Sequence, residues 1–294
     1  MQIVWQQLVN ALSLGSIYAL IALGYTMVYG IIQLINFAHG DVLMVGAYVG
    51  FFCMTTLRLG IIESLLISMV VCALLGVVIE RVAYRPLRNS PRITLLITAI
   101  GVSLILEYTM MYFLGAGVRA YPKPTGFMAG SFMIGEVQVK NLQLIIVAVS
   151  VVLMVVLQII VKTTRIGKAM RAVSQDAEAS RLMGISVDST ISITFAIGSA
   201  LAGAAGVLWG VYYTSINPLM GMMPGLKAFV AAVLGGIGLI PGALVGAFAI
   251  GAAETVVSQV GGSTYKDAAV FAILIIVLIL KPTGLLGKNQ KEKV

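Results

Sequence analysis

Four polar side chains, Gln33, Asn36, His39 and Asp41, fall within the stretch Gly30 to Tyr48, GIIQLINFAHGDVLMVGAY, whose remaining residues are aliphatic, aromatic or glycine. Polar and ionisable groups so close to lipid are costly unless paired or hydrated, which makes them candidates for a solute path. The competing reading is structural: His39 and Asp41 cap helix ends, with Asp41 as N-cap of the following span. Glu107 lies inside a later apolar run with no basic residue near it in sequence, and Glu254 sits late in a glycine-rich one. An ionised carboxylate there needs a partner, a cavity or a bound proton. A hydrogen-bonded carboxyl facing a helix bundle, a substrate contact and proton coupling all stay open.

Several chemistries are excluded. His39 is the only histidine, so no site needing a His pair can form, and the sequence offers no Ser-His-Asp order with the marks of a catalytic triad. The segment Gly284-Leu285-Leu286-Gly287-Lys288-Asn289 has the wrong spacing for a phosphate loop and lacks the hydroxyl that would bind Mg²⁺. Neither a zinc-binding H-E-x-x-H nor a nucleophile elbow occurs. Cys53 and Cys72 lie in apolar runs and form no disulfide framework or metal cluster. The chain is expected to be no enzyme, to have no catalytic or metal-binding residues and no cofactor, and not to hydrolyse ATP itself.

The elements that hold these residues must dissolve in lipid. Of 294 residues, 60% are hydrophobic and 10% charged, whereas a soluble domain carries about 25% charged residues and needs them for a polar shell. Most of the 32 glycines lie in apolar runs, which suits close packing of membrane helices. Gly198, Ala202, Gly206 and Gly210 form one small-residue ridge, and Gly46 with Gly50 and Gly242 with Gly246 repeat the spacing; helix packing, a dimer contact or a substrate path would each use it. Spans are expected at 8–29, 41–57, 61–79, 93–114, 141–161, 189–210 and 267–281. Met1 to Gln7 carry no Lys or Arg and the first run exceeds a signal-peptide core, so it reads as a retained span. Between 226 and 258, two apolar pieces are split by Gly235-Gly236-Ile237-Gly238-Leu239-Ile240-Pro241-Gly242, which argues for two short crossings or a re-entrant pair. The fold expected is an all-α polytopic membrane protein of about eight or nine transmembrane segments with broken helices.

Thirteen of the 19 basic residues lie in three links: Arg81, Arg85, Arg88 and Arg92; Lys162, Arg165, Lys168, Arg171 and Arg181; and Lys281, Lys288, Lys291 and Lys293. An alternating thread places all three links on one side, expected to be cytoplasmic, with the N-terminus outside and the C-terminus inside. Arg58, Arg119, Lys123, Lys140, Lys227 and Lys266 then face outward or line the far interface. Gly15-Ser16 followed by Asn36 in Ile35-Asn36-Phe37-Ala38-His39-Gly40 is echoed by Gly198-Ser199 followed by Asn217 in Ile216-Asn217-Pro218-Leu219-Met220-Gly221. The thread sends the copies in opposite directions, as inverted-topology repeats require. One transmembrane domain, 1–294, is expected, with repeats at about 8–161 and 189–281 around a link at 162–185. Within that link Asp176 can cap a helix at 177–183 and Gly184 can stop it. Such a helix serves either as a docking element for another protein or as an amphipathic linker on anionic lipid.

Longer motifs add a resemblance. Ala22-Leu23-Gly24-Tyr25-Thr26-Met27-Val28-Tyr29-Gly30, Ile35-Asn36-Phe37-Ala38-His39-Gly40-Asp41 with Met44-Val45-Gly46-Ala47-Tyr48, Lys227-Ala228-Phe229 leading to Val233-Leu234-Gly235-Gly236-Ile237-Gly238, and Pro282-Thr283-Gly284-Leu285-Leu286-Gly287 run along nearly the whole chain. In these motifs the chain resembles the shorter permease subunits of bacterial branched-chain amino acid ATP-binding-cassette transporters. The resemblance implies a passive membrane half in the bacterial inner membrane. Its partners would be a second homologous permease, two cytoplasmic ATPase subunits that bind the ATP, and a periplasmic amino-acid-binding protein, with membrane lipid around it and no nucleic acid. It also implies ATPase contact at Asp176, Ala177, Glu178, Ala179 and Gly184, although the importer pattern E-A-A-x-x-x-G is not met, since Gly184 stands five residues after Ala179. The candidate path residues are Tyr25, Asn36, His39, Asp41, Glu107, Asn217, Gly235 and Gly236. Half-helix N-termini at the breaks are expected to attract a substrate carboxylate. Urea and short-chain amide permeases share a similar N-x-A-H-G-E stretch and stand as the alternative; an ion-coupled porter using Glu107 and His39 is the reading from another class.

Overall fold

Apolar sequence in lipid has no water to satisfy its backbone, so it satisfies it internally as helix. The computed structural model describes residues 2–33, 35–88, 90–124, 126–134 and 137–287; Lys288, Lys291 and Lys293 lie outside them. The described helices are α1 (Gln2–Ile32), α2 (His39–Thr55), α3 (Ile61–Ile79), α4 (Arg92–Leu114), α5 (Asn141–Thr163), α6 (Arg165–Gln175), α7 (Ala177–Leu182), α8 (Val187–Tyr213), α9 (Met222–Gly235), α10 (Ile240–Val260) and α11 (Lys266–Leu280). A π-turn, Glu80–Tyr84, prolongs α3. Two short antiparallel pairs complete the chain: β1 (Arg119–Ala120) with β4 (Ser215–Ile216), and β2 (Ser131–Ile134) with β3 (Val137–Lys140).

Among the described residues six helices are long and apolar enough to cross a membrane: α1, α3 with its extension, α4, α5, α8 and α10. The remaining apolar helices, α2, α9 and α11, have 17, 14 and 15 residues. The broken region therefore holds one short helix and one of full length, not two short ones. Pro241 sits in the first turn of α10, where its missing N–H costs nothing, and the chain reverses before it through Gly236, whose φ of 107° a side chain would strain.

Burial separates central from peripheral helices. The apolar windows of α1 and α8 are 89% and 78% buried, against 11% for α4 and 28% for α3 and α5, so α1 and α8 are the axis and the others face lipid. Packing across the axis is exchanged: α1 lies along α10 and α9, while α8 lies along α3 and α2. The small-residue ridge of α8 makes this approach possible. A Cβ at Gly206 of the ridge would stand 2.2 Å from Leu43 O, and one at Gly203 beside it 2.8 Å from Ser68 O.

The described parts of the three basic links share one face. Arg85 reaches Asp188 at 2.5 Å, and a Cβ at Gly30 would lie 3.8 Å from Gly238 while one at Gly236 would lie 2.8 Å from Gly287 N. At the opposite face Gln7 donates to Gln259 at 2.7 Å, Gln143 to Asn10 at 2.8 Å, and Tyr121 fills the space beside Gly50 and Gly210. Burial pushes the Tyr121 phenol up, so it stays neutral there.

Candidate functional site

The two Asn-containing segments meet in the interior. Each makes the same turn, His39 N–H donating to Asn36 O at 3.0 Å and Met220 N–H to Asn217 O at 3.1 Å, and each then enters a helix, so the N-termini of α2 and α9 face each other. Asp41 sits in the first turn of α2 and is 1% exposed. It is not the N-cap expected for it: the helix begins two residues earlier, with Ala38 at the cap and no side chain bonding it. A Cβ at Gly221 would lie 2.9 Å from Asp41 Oδ1, so this carboxylate occupies the field where both helices present positive ends. The broken element at 30–41 thus offers its N-terminus to an internal carboxylate.

Around Asp41 the structure gathers Tyr25, His39 and Glu107. Ser103 on α4 donates to Asp41 Oδ2, and Glu107, one turn further, is the second acid facing Asp41. Glu107 is 8% exposed while its neighbours Ile105 and Tyr108 are 65% and 64% exposed, so one polar stripe holds an otherwise lipid-facing helix to the core. His39 packs edge-on to Tyr25 with ring centroids 4.8 Å apart and fills a notch left by Gly24 on α1. Phe229 of α9 stands 6.1 Å from both Tyr25 and Phe37, closing an aromatic wall over the junction.

Asn36 accepts at its Oδ1 from the Tyr84 hydroxyl at 2.7 Å. Tyr84 lies on the π-turn, which rotates Glu80 and Tyr84 into the protein. Glu80 accepts from Ser192 Oγ at 2.5 Å and from Arg88, which also holds Asp188 at 2.6 Å. Asn217 is half-buried and accepts from Leu219 N–H at 3.0 Å, which shapes its own turn.

Gly235 and Gly236 do not join the site. They lie at the far end of α9, where Leu285 and Leu286 N–H groups donate to Leu234 O and Gly235 O at 2.7 and 3.1 Å. The C-terminal segment covers this break, so its backbone needs no water. Lys227 departs from expectation as well: expected to face outward or line the far interface, it is 3% exposed and bonds Glu254 at 2.8 Å and Asp267 at 2.5 Å. Glu254 also accepts from Tyr18 at 2.7 Å, which gives it the partners that the sequence alone could not supply. A cleft of about 310 Å³ opens beside this network, lined by Asn10, Tyr213, Glu254 and Lys266.

In the link 162–185, Asp176 accepts from Ala179 N–H at 2.9 Å and so caps α7. Gly184, at φ 80°, ends it, with Gly184 N–H donating to Arg181 O and Ile185 N–H to Ser180 O. Leu182 and Met183 project from this end, 88% and 82% exposed on the basic face. Sequence reasoning missed Ser103, Tyr84, Glu80, Tyr18 and Phe229. The i+4 spacing of Ser103 and Glu107 was the one available signal.

Comparison with known proteins gives a consistent likeness. Residues 7–278 match the family described as branched-chain amino acid transport system / permease component. The chain is 44% identical to the high-affinity branched-chain amino acid transport system permease protein BraD of Pseudomonas aeruginosa, covering 98% of this chain and 97% of that one. It is 45% identical to the permease protein LivH of Escherichia coli K12, with the same coverage. The ribose import permease protein RbsC of Haemophilus influenzae is a more distant relative, 27% identical over 93% of this chain.

Proposed function

This chain belongs to the family of branched-chain amino acid transport system permease components, and from that membership we propose that it is one membrane half of an ATP-driven importer of leucine, isoleucine and valine. The observation that carries the reading is the identity of 44–45% over nearly the whole chain to high-affinity branched-chain amino acid permeases. Its partners are a second homologous permease, two cytoplasmic ATPase subunits that bind the ATP, and a periplasmic binding protein. The chain itself hydrolyses nothing and needs no cofactor. It sits in the bacterial inner membrane with the basic face cytoplasmic, the N-terminus periplasmic and the C-terminus cytoplasmic, as the positive-inside rule requires.

The mechanism follows from the junction. Residues 8–161 and 189–281 act as inverted repeats whose α2 and α9 meet end to end, and rocking of one against the other alternates access. Tyr25, Asn36, His39, Asp41, Glu107 and Asn217 line or support the path. A branched aliphatic side chain needs only an apolar wall, which Phe37 and Phe229 provide, so selection rests with the binding protein. The ATPases push on α6 and α7, with Asp176 to Ala179 and Gly184 fixing the shape of the contact and Leu182 and Met183 supplying its apolar part.

The test is ATP-dependent leucine uptake into proteoliposomes by the complex purified from its native membrane, with binding protein added. Uptake that needs ATP and both partner classes is the expected result. Uptake on a proton or sodium gradient by the chain alone would overturn the proposal, and uptake of urea with exclusion of leucine would move it to the amide permeases.

A further inference from the structure

A second cleft, of about 340 Å³, lies on the basic face between the π-turn after α3 and the first turns of α8. Its polar lining includes Arg81, Arg85, Ser186, Asp188 and Ser189, and its apolar lining includes Val77 and Ile193. Three arginines meet here, Arg81, Arg85 and Arg88, against two carboxylates. Arg85 and Arg88 are committed to Asp188, and Arg88 also to Glu80. Among the described residues Arg81 has no ion pair or hydrogen-bond partner, so the cluster carries one uncommitted positive charge, on a guanidinium that can grip two oxygens at once. The Ser189 hydroxyl next to it is exposed on the same wall.

The location identifies the anion. Leu66, Val70, Leu74, Val78 and Val82, spaced by four, form an exposed apolar ridge along α3 and its extension, with Val82 72% exposed, and Val78 and Val82 each directly follow a residue that lines the cleft, Val77 and Arg81. A polar, positively charged mouth joined to a lipid-facing ridge matches a molecule with a phosphate head and an acyl tail. The volume is roughly ten times the ~30 Å³ share of a water molecule, room for a phosphodiester and its glycerol. We propose that this cleft binds the phosphate headgroup of an anionic phospholipid of the cytoplasmic leaflet, Arg81 and Ser189 holding the phosphate while one acyl chain lies along α3. The bound lipid ties the end of α3 to the start of α8, one helix from each half of the protein. The inference rests on the membrane reading and not on which solute is carried.

The test uses the complex purified in mild detergent from membranes holding phosphatidylglycerol and phosphatidylcholine, with retained lipid counted by native mass spectrometry. The wild type should retain phosphatidylglycerol over phosphatidylcholine. Arg81→Gln with Ser189→Ala should lower that ratio about 5-fold, one basic residue near an anionic surface being worth about that factor. Arg81→Lys should keep most of the preference, and Arg58→Gln on the opposite face should leave it unchanged. Equal retention of both lipids by the wild type, or a ratio unmoved in the double variant, would overturn the proposal. Release of the retained lipid by excess inorganic phosphate would overturn its lipid part, assigning the cleft to a free anion.

Discussion

Gly40 and Gly221 stand face to face, each leaving the space that the other's carbonyl fills: a Cβ on Gly40 would lie 2.4 Å from Gly221 O, and one on Gly221 2.3 Å from Gly40 O. Reciprocal contacts of this kind arise where two similar segments meet about a local two-fold axis, and the two glycines are the sixth residues of the matching six-residue segments. The junction of α2 and α9 is set by backbone against backbone.

Adding one methyl there forces the two helix starts apart. Gly40→Ala and Gly221→Ala should each destabilise the junction by about 1–3 kcal/mol through overpacking and reduce uptake at normal membrane levels of protein. Uptake and thermal stability equal to wild type in both variants would show that the contact is loose.

The buried ion pair of Lys227 with Glu254 makes a sharper case. Lys227→Met leaves Glu254 with one buried cationic partner fewer and should cost about 3–5 kcal/mol, whereas the double change Lys227→Met with Glu254→Leu removes the stranded charge and should recover much of the loss. Thermal unfolding of the purified complex measures both. A double variant no more stable than the single one would count against the pair as the cause.

Asp41 complements two helix N-termini, while Ser103 only bonds Asp41. Ser103→Ala should therefore cost about 1 kcal/mol and leave transport working, and Asp41→Leu should abolish uptake by removing charge from the field of α2 and α9. Normal uptake by Asp41→Leu would return the residue to a dispensable role.

Asn36 and Tyr84 form one hydrogen-bonded unit. If Asn36 serves as a positioned group, Tyr84→Phe should weaken uptake in the same direction as Asn36→Leu and the double variant should be no worse than the stronger single change. Additive losses would mean that the two side chains act separately.

At α7, Leu182→Asp and Met183→Asp should block co-purification of the ATPases while membrane insertion stays intact. Gly184→Trp should do so as well, since φ of 80° strains any side chain, and Glu178→Arg added to it should strengthen the loss. Undiminished recovery of the ATPases with all of these variants would remove α7 from the contact.

Much of the framework was legible in one dimension because lipid leaves little choice. The expected spans at 61–79 and 93–114 coincide with α3 and α4 to within a residue, and Asp176 and Gly184 bound α7 as their side-chain chemistry demands. What failed were statements about the third dimension. Asp41 read as a cap because a carboxylate before an apolar run usually is one, yet the helix gains two residues from the preceding turn. Lys227 read as outward-facing because it lies outside the three basic links, and its partners lie 27 and 40 positions away at Glu254 and Asp267. Gly235 and Gly236 looked open because nothing near them in sequence announces that Leu285 and Leu286 close over them.

The exchange of partners across the axis sets an order of events during synthesis. α1 leaves the ribosome before α10, against which it packs and which follows more than 200 residues later. Until then Tyr18 has no Glu254 to bond, and Ser13 and Ser16 of the same helix stand in lipid or against insertion machinery. A helix made early is thus among the last to be completed, and it must be sheltered while the helix that completes it is still being translated.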